Sequence, residues 1–430
     1  MTIISYVSAG RVASKRGRGL VMRSQTLTTK RSSDSIGCRE RILLGVVGFI
    51  FFVDMLVYGI VVPVLPSLAK PAGLQFMGVG AVFACYGLAY FVFTPVAGRL
   101  VDWRGSRMVL LSGAVVLALA TLVFGYASSP VELATSRVLQ GAGAAATWVA
   151  GYAALVEVFP REQRGRAVGT ASIGTALGVL VGPTAGGLLL EAGGPRAPFV
   201  LAAGLAAAAV LVLTVALPRS ARPVRSGLAD SAGSGSHMLP GLAVPWLMAG
   251  LAAGLALGAV EATLPIDLAA RLDVSGITVG LLFALTTAAF IATSQGAGRL
   301  SDGGRRGPVL AAGWVTISLA MAVIGLPSAV ALQAVTLTFL GAGLGAMIAT
   351  IMPALADVMD VSDAQRPGTA AAAYNLSFSA GSMAGAPLAG WLADLQSFQA
   401  ATLLIALVTA ACGALAALAR AALARHIISA

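Results

Sequence analysis

Gly98-Arg99-Leu100-Val101-Asp102 returns 200 residues later as Gly298-Arg299-Leu300-Ser301-Asp302. Other blocks repeat around this pair, in the same order. Gly141-Ala142-Gly143 is matched by Gly341-Ala342-Gly343, and the 154–158 stretch ALVEV by ALADV at 354–358, both at an offset of 200. Leu65-Pro66 is matched by Leu264-Pro265 at 199, and Gly178, Gly182 and Gly187 by Gly381, Gly385 and Gly390 at 203. Any one block is compatible with chance similarity between alanine- and glycine-rich helices. Five blocks in order at nearly one offset indicate a duplicated unit.

Composition says what solvent that unit lives in. The 430 residues are 58% hydrophobic and only 10% charged, whereas soluble proteins carry about 25% charged residues. So little charge cannot cover so much apolar surface in water, so the chain must sit in lipid. Each crossing needs about 20 apolar residues, and every backbone group must be paired within it. The runs are long and lack strict alternation, which selects helices. Spans are expected over 42–66, 78–101, 107–128, 131–157, 166–190 and 197–217. The second copy gives 244–266, 277–300, 308–327, 331–356, 369–392 and 397–421. The expected fold class is an all-α membrane protein of twelve transmembrane helices in two six-helix pseudo-symmetric halves, 42–217 and 244–421. Residues 218–243, rich in Gly, Ser and Pro, read as a linker. Residues 422–430 read as a short tail. The basic stretch 1–41 reads either as a disordered tail or as sequence upstream of the true start.

Charge orients the bundle. The formal net charge is +11, but the cations lie in the tails and in short gaps between apolar runs rather than in a stripe. Nucleic acid is therefore not an expected partner. With the N-terminus inside, 24 Lys and Arg fall on the cytoplasmic side and only Lys70, Arg196 and Arg271 outside. This bias places both termini and the linker in the cytoplasm. Cys38, Cys85 and Cys412 are far apart, and His237 and His426 are the only histidines, so no metal site is expected.

Three motifs carry a family resemblance. Gly98-Arg-Leu-Val-Asp102-Trp-Arg-Gly105-Ser-Arg107 resembles the loop signature between helices 2 and 3 of the major facilitator superfamily, with Trp103 and Ser106 at usually basic positions. Leu133-Ala-Thr-Ser-Arg137-Val-Leu-Gln140-Gly141-Ala-Gly143 resembles its helix 4 motif. Gly178-Val-Leu-Val-Gly182-Pro183-Thr-Ala-Gly186-Gly187 resembles the helix 5 motif of its twelve-spanner drug:proton antiporters. Helix 1, with Asp54 and Pro63, and helix 7, with Glu261 and Pro265, are similar to vesicular amine transporters and their bacterial relatives. The resemblance implies a proton-coupled antiporter of the inner membrane. It would export small cationic or amphipathic molecules, such as drugs and antibiotics, by alternating access. The partners implied are a small-molecule substrate, protons and the bilayer. The chain is expected to be a monomer without cofactor and not an enzyme. An importer, or an exporter of one specific metabolite, is the alternative within transport. An intramembrane enzyme is remote, because no nucleophile–base pair, HExxH or paired aspartate lies in a span.

The residues assign roles within this frame. Asp54, Arg137 and Glu261 are the ionisable groups well inside spans, each costing on the order of 2.5–3.5 kcal/mol at a helix centre. That cost makes proton or substrate coupling the leading role, with an Asp54–Arg137 ion pair as the structural alternative. Asp54, deeper and beside Phe51, Phe52 and Val53, is the proton carrier, and Glu261 attracts or releases a cation. Tyr58, Tyr90, Trp148, Tyr152, Gln295, Tyr374 and Asn375 are candidate cavity contacts. Gly98, Asp102, Gly105, Arg107 and Glu157 form a gating group. In it Gly98 seats a close neighbour, Asp102 meets a helix end of the other half, and Arg107 pairs with Glu157. Gly178, Gly182 and Gly186 lie on one helix stripe suited to close packing, and Pro183 allows a bend.

Overall fold

The computed structural model describes residues 38–216, 243–301, 305–361 and 367–429, and all twelve expected helices fall among them. The N-terminal half comprises α1 (Cys38–Ala69), α2 (Phe76–Arg104), α3 (Ser106–Tyr126), α4 (Pro130–Val158), α5 (Arg161–Gly193) and α6 (Ala197–Ala216). The C-terminal half comprises α7 (Val244–Leu272), α8 (Gly276–Leu300), α9 (Arg306–Val323), α10 (Val330–Val361), α11 (Pro367–Leu395) and α12 (Phe398–Ser429). The stretches 1–37 and 217–242, which hold most of the expected tail and linker, lie outside the described residues, as does Asp302.

Ten of these helices are long and apolar enough to cross a membrane by composition alone. The other two, α4 and α11, complete the bundle from inside it. In α4 the polar residues Ser136, Arg137, Gln140 and Thr147 are buried against protein, and in α11 Ser377 donates to the Leu247 carbonyl of α7. Their low apolarity records protein neighbours in place of lipid. Most helices are longer than expected. α2 and α4 have 29 residues each, or about 44 Å at 1.5 Å per residue, so their ends project beyond a hydrocarbon core of about 30 Å.

On the face that holds the start of α1, here the basic face, the α2–α3 and α4–α5 connections are very short. The 98–107 motif is almost wholly helical. Its one non-helical residue is Gly105, with φ of +83°, a conformation that side chains resist and glycine accepts. Phe159 and Pro160 alone separate α4 from α5. At the opposite, distal face, α4 starts with a capping box. Ser129 Oγ accepts from the Glu132 N–H at 3.3 Å, and Glu132 Oε2 accepts from the Ser129 N–H at 3.3 Å. Pro130 occupies the first turn, where no backbone donor is needed.

The repeat appears in the packing. α1 lies along α5 as α7 lies along α11, and α4 contacts α2 and α3 as α10 contacts α8 and α9. The Gly-Ala-Gly blocks sit at equivalent crossings. A Cβ on Gly143 would come within 3.0 Å of the Gly113 carbonyl, and one on Gly343 within 3.1 Å of the Gly313 carbonyl. The halves meet mainly through α2 with α11 and α5 with α8.

The helix 5 stripe packs inside its own half. Gly178, Gly182 and Gly186 face Phe52, Gly59 and Ile60 of α1, and Gly174, facing Gly48, extends the stripe by one turn. Gly187 projects the other way, to Gly276 of α8, and the Pro183 carbonyl meets Gly280 there, while the Pro183 ring stays against Gly59 of α1. A Cβ at Gly178 would stand 2.5 Å from the Phe52 carbonyl oxygen. Gly178→Val is therefore expected to separate α1 from α5 and destabilise the fold by about 1–3 kcal/mol or more. Gly98→Ala serves as the control, since nothing lies within 4 Å of its added methyl. Thermal unfolding in detergent should show a clear drop for the first and none for the second.

Candidate functional site

Asp54 and Tyr58 stand one turn apart on α1, so they share a helix face. Asp54 is 1% exposed. The Trp148 indole N–H of α4 donates to its Oδ2, and its Oδ1 has no hydrogen-bond partner among the described residues. Aromatic rings wall the carboxyl. Phe51 stacks on Trp148 with centroids 4.4 Å apart and interplanar angle 10°, and Tyr152 tilts against both at 5.1 and 5.7 Å. Gly151 makes room for the Phe51 ring, which a Cβ there would approach to 2.9 Å.

Tyr58 belongs to a second cluster. Its hydroxyl donates to Glu261 Oε2 of α7 at 2.5 Å, tying the two halves together in the bundle interior. Its ring lies 5.4 Å from that of Tyr86 on α2. Beyond Tyr86 is Arg137, fully buried, with its guanidinium carbon 5.3 Å from each of the Phe83, Tyr86 and Phe124 rings. Arg137 Nη1 donates to Gln140 Oε1 at 3.1 Å, and Gln140 Nε2 donates to Thr121 Oγ1 at 3.2 Å. Arg137 Nε and Nη2 have no hydrogen-bond partner among the described residues.

The Asp54–Arg137 ion pair, held as the structural alternative, does not form. Asp54 takes an indole, and Arg137 takes a carboxamide and three ring faces. Of the other expected contacts, Trp148, Tyr152 and Tyr58 join the site. Tyr90 is part-buried on α2. Tyr374 packs on Phe378, with centroids 5.9 Å apart, and Gln295 and Asn375 are exposed. Sequence reasoning missed Phe83, Phe124 and Thr121. Gln140, three residues after Arg137 and on its face, was the available signal.

The gating group differs from expectation at two points. Gly98 seats no neighbour, and Arg107 does not pair with Glu157. Arg107 Nη2 donates to the Thr214 carbonyl of α6 at 3.2 Å, while the Ser106 hydroxyl donates to Glu157 Oε2 at 2.8 Å. The hydroxyl begins α3 immediately after the Gly105 turn and reaches the carboxylate first. Asp102 is part-buried in the last turns of α2.

The sequence model of the Major Facilitator Superfamily matches residues 47–246 and 246–426, one match to each half. The chain belongs to the major facilitator superfamily. It is thus a multi-pass membrane protein. Over 194 residues it is 36% identical to a probable vesicular acetylcholine transporter-B of Danio rerio, covering 43% of this chain and 39% of that protein. The vesicular acetylcholine transporter of Rattus norvegicus is 29% identical over 343 residues, 76% of this chain and 63% of its own length. Multidrug resistance protein 2 of Bacillus subtilis is 31% identical over 169 residues, 39% of this chain and 42% of its own. The first two of these matches span 39% and 63% of the relatives' length. In fold, this superfamily member is similar to a bacterial homologue of the human lysosomal transporter Spinster in its inward-facing, unoccupied conformation. The TM-score is 0.76 at 14% identity, over 90% of this chain and 98% of the other.

Proposed function

We propose that the chain is a proton-coupled antiporter that exports small cationic or amphipathic molecules across the cytoplasmic membrane. The observation that carries this reading is the Asp54 site. A carboxyl is held inside a helix bundle against aromatic faces, with a neutral indole on one oxygen and, among the described residues, no partner on the other. A buried carboxylate needs a compensating charge. Either a proton or an organic cation meets that need, and aromatic faces favour the cation by a further ~0.5–2 kcal/mol. Competition of the two for one site couples the export of one to the entry of the other. Relatives that include multidrug resistance proteins and vesicular acetylcholine transporters support this substrate class and make antibiotic resistance one consequence. The basic face is taken as cytoplasmic on the charge bias, and the distal face as external.

A proteoliposome assay tests the reading. A pH gradient is imposed, cationic dyes and antibiotics are offered, and substrate and protons are followed together. Substrate movement unaffected by the gradient, with no counter-movement of protons, rejects antiport.

Asp102 lies on the other side of the cycle from Asp54. Asp102→Asn is expected to slow turnover several-fold with insertion unchanged, because a contact between halves at the basic face is lost when that face closes. Normal turnover at normal expression would reduce Asp102 to a topogenic charge.

A further inference from the structure

Two carboxylates at the distal face reach across the boundary between the halves, and both end on the first backbone N–H groups of a helix. Asp394, in the last turn of α11, accepts from the Phe76 N–H at 3.1 Å and the Met77 N–H at 2.8 Å, at the start of α2. Glu191, in the last turn of α5, accepts from the Ile277 N–H at 2.9 Å, at the start of α8. The offsets are those of the duplication: Asp394 follows Glu191 by 203 residues, and Ile277 follows Met77 by 200. The two contacts are therefore one device present twice.

Beneath each carboxylate the backbones touch. A Cβ on Gly390 would meet Phe76, and one on Gly80 would meet Ala386 and Pro387. On the other side Gly187 meets Gly276, and Gly280 meets Pro183. The cap on α2 is supplied wholly in trans, because its own N-cap residue, Gln75, makes no side-chain cap bond. The first N–H groups of a helix have no partner within it and carry its positive dipole end. Separating the halves at this face strips α2 of its cap and leaves three backbone N–H groups and two carboxylates to find water.

We infer that Glu191 and Asp394 are the paired latch of the distal gate, and that their release sets how often the transporter opens to that side. This rests on the alternating-access reading above. Both carboxylates are exposed, so each bond is modest alone. The pair acts jointly because opening breaks both.

The full-length chain, with Cys38, Cys85 and Cys412 replaced by Ala and spin labels at the exposed positions Lys70 and Ala329, is reconstituted in lipid nanodiscs. Pulsed electron paramagnetic resonance then reads the distance between halves at the distal face. Glu191→Ala with Asp394→Ala is expected to raise the ratio of long to short distances by roughly tenfold, the order of one charge-assisted hydrogen bond, with each single variant in between. Glu191→Gln with Asp394→Asn keeps an acceptor and loses the charge, so a smaller shift is expected. It also serves if the alanine pair fails to fold. A distance distribution unchanged from wild type in either folded double variant overturns the latch. The alternating-access reading is judged separately, by whether a cationic dye or a change of pH moves the wild-type distribution at all.

Discussion

Asp54→Asn is expected to abolish proton-driven accumulation of every substrate, a loss on the order of 100-fold or more, the scale seen when a group that must transfer a proton is removed. The substitution is nearly isosteric. The Asn oxygen still accepts from the Trp148 indole, so the Phe51–Trp148–Tyr152 wall stays in place. What is lost is the ability to hold and release a proton. Downhill exchange of one substrate molecule for another should therefore survive, which separates loss of coupling from loss of fold. Both modes are measured in the same proteoliposomes, with and without a pH gradient. Uphill accumulation by the variant would place the proton site elsewhere.

Glu261→Gln carries the second large effect, and it is selective. The Glu261 carboxylate lies at the junction of α1 and α7, bonded to Tyr58. Removing its charge should weaken a cationic substrate by roughly tenfold in KM, equivalent to about 1.4 kcal/mol. A neutral substrate of similar size should be unaffected. Tyr58→Phe is the companion variant, since it cuts the bond between halves and keeps the charge. An equal effect of Glu261→Gln on both substrates would make the residue structural.

The fold was legible in the sequence because duplication and apolar length are properties of backbone and solvent. The Gly-Ala-Gly pairs fell at equivalent crossings, and the glycine stripe lies against α1 as its counterpart at Gly381 and Gly385 lies against α7, whereas Gly98 and Gly298 meet no neighbour. Site partners were less legible. Asp54, Arg137 and Glu261 stood out because charge in lipid is costly, but their partners depend on side-chain reach between distant helices. The alternative pairing of Arg137 with Asp54 fails because sequence gives the depth of a residue without its azimuth on the helix. Ser106 displaced Arg107 at Glu157 for a similar reason, a difference of one residue at the Gly105 turn. Glu191 and Asp394 could have been found. They share the offset of the glycines around them, but as charges near a membrane surface they read as ordinary loop polarity.

Gly105 has a mechanical consequence. A single residue joins α2 to α3, and two join α4 to α5. Joints this short have no slack to absorb relative displacement, so a tilt of α2 at one membrane surface is delivered to α3 in full. On the alternating-access proposal, each half would then behave as a stiff lever pivoting near the Tyr58–Glu261 bond. Closing at one surface and opening at the other become a single stroke, and lengthening the joint at Gly105 by a few flexible residues would turn that stroke into lost motion.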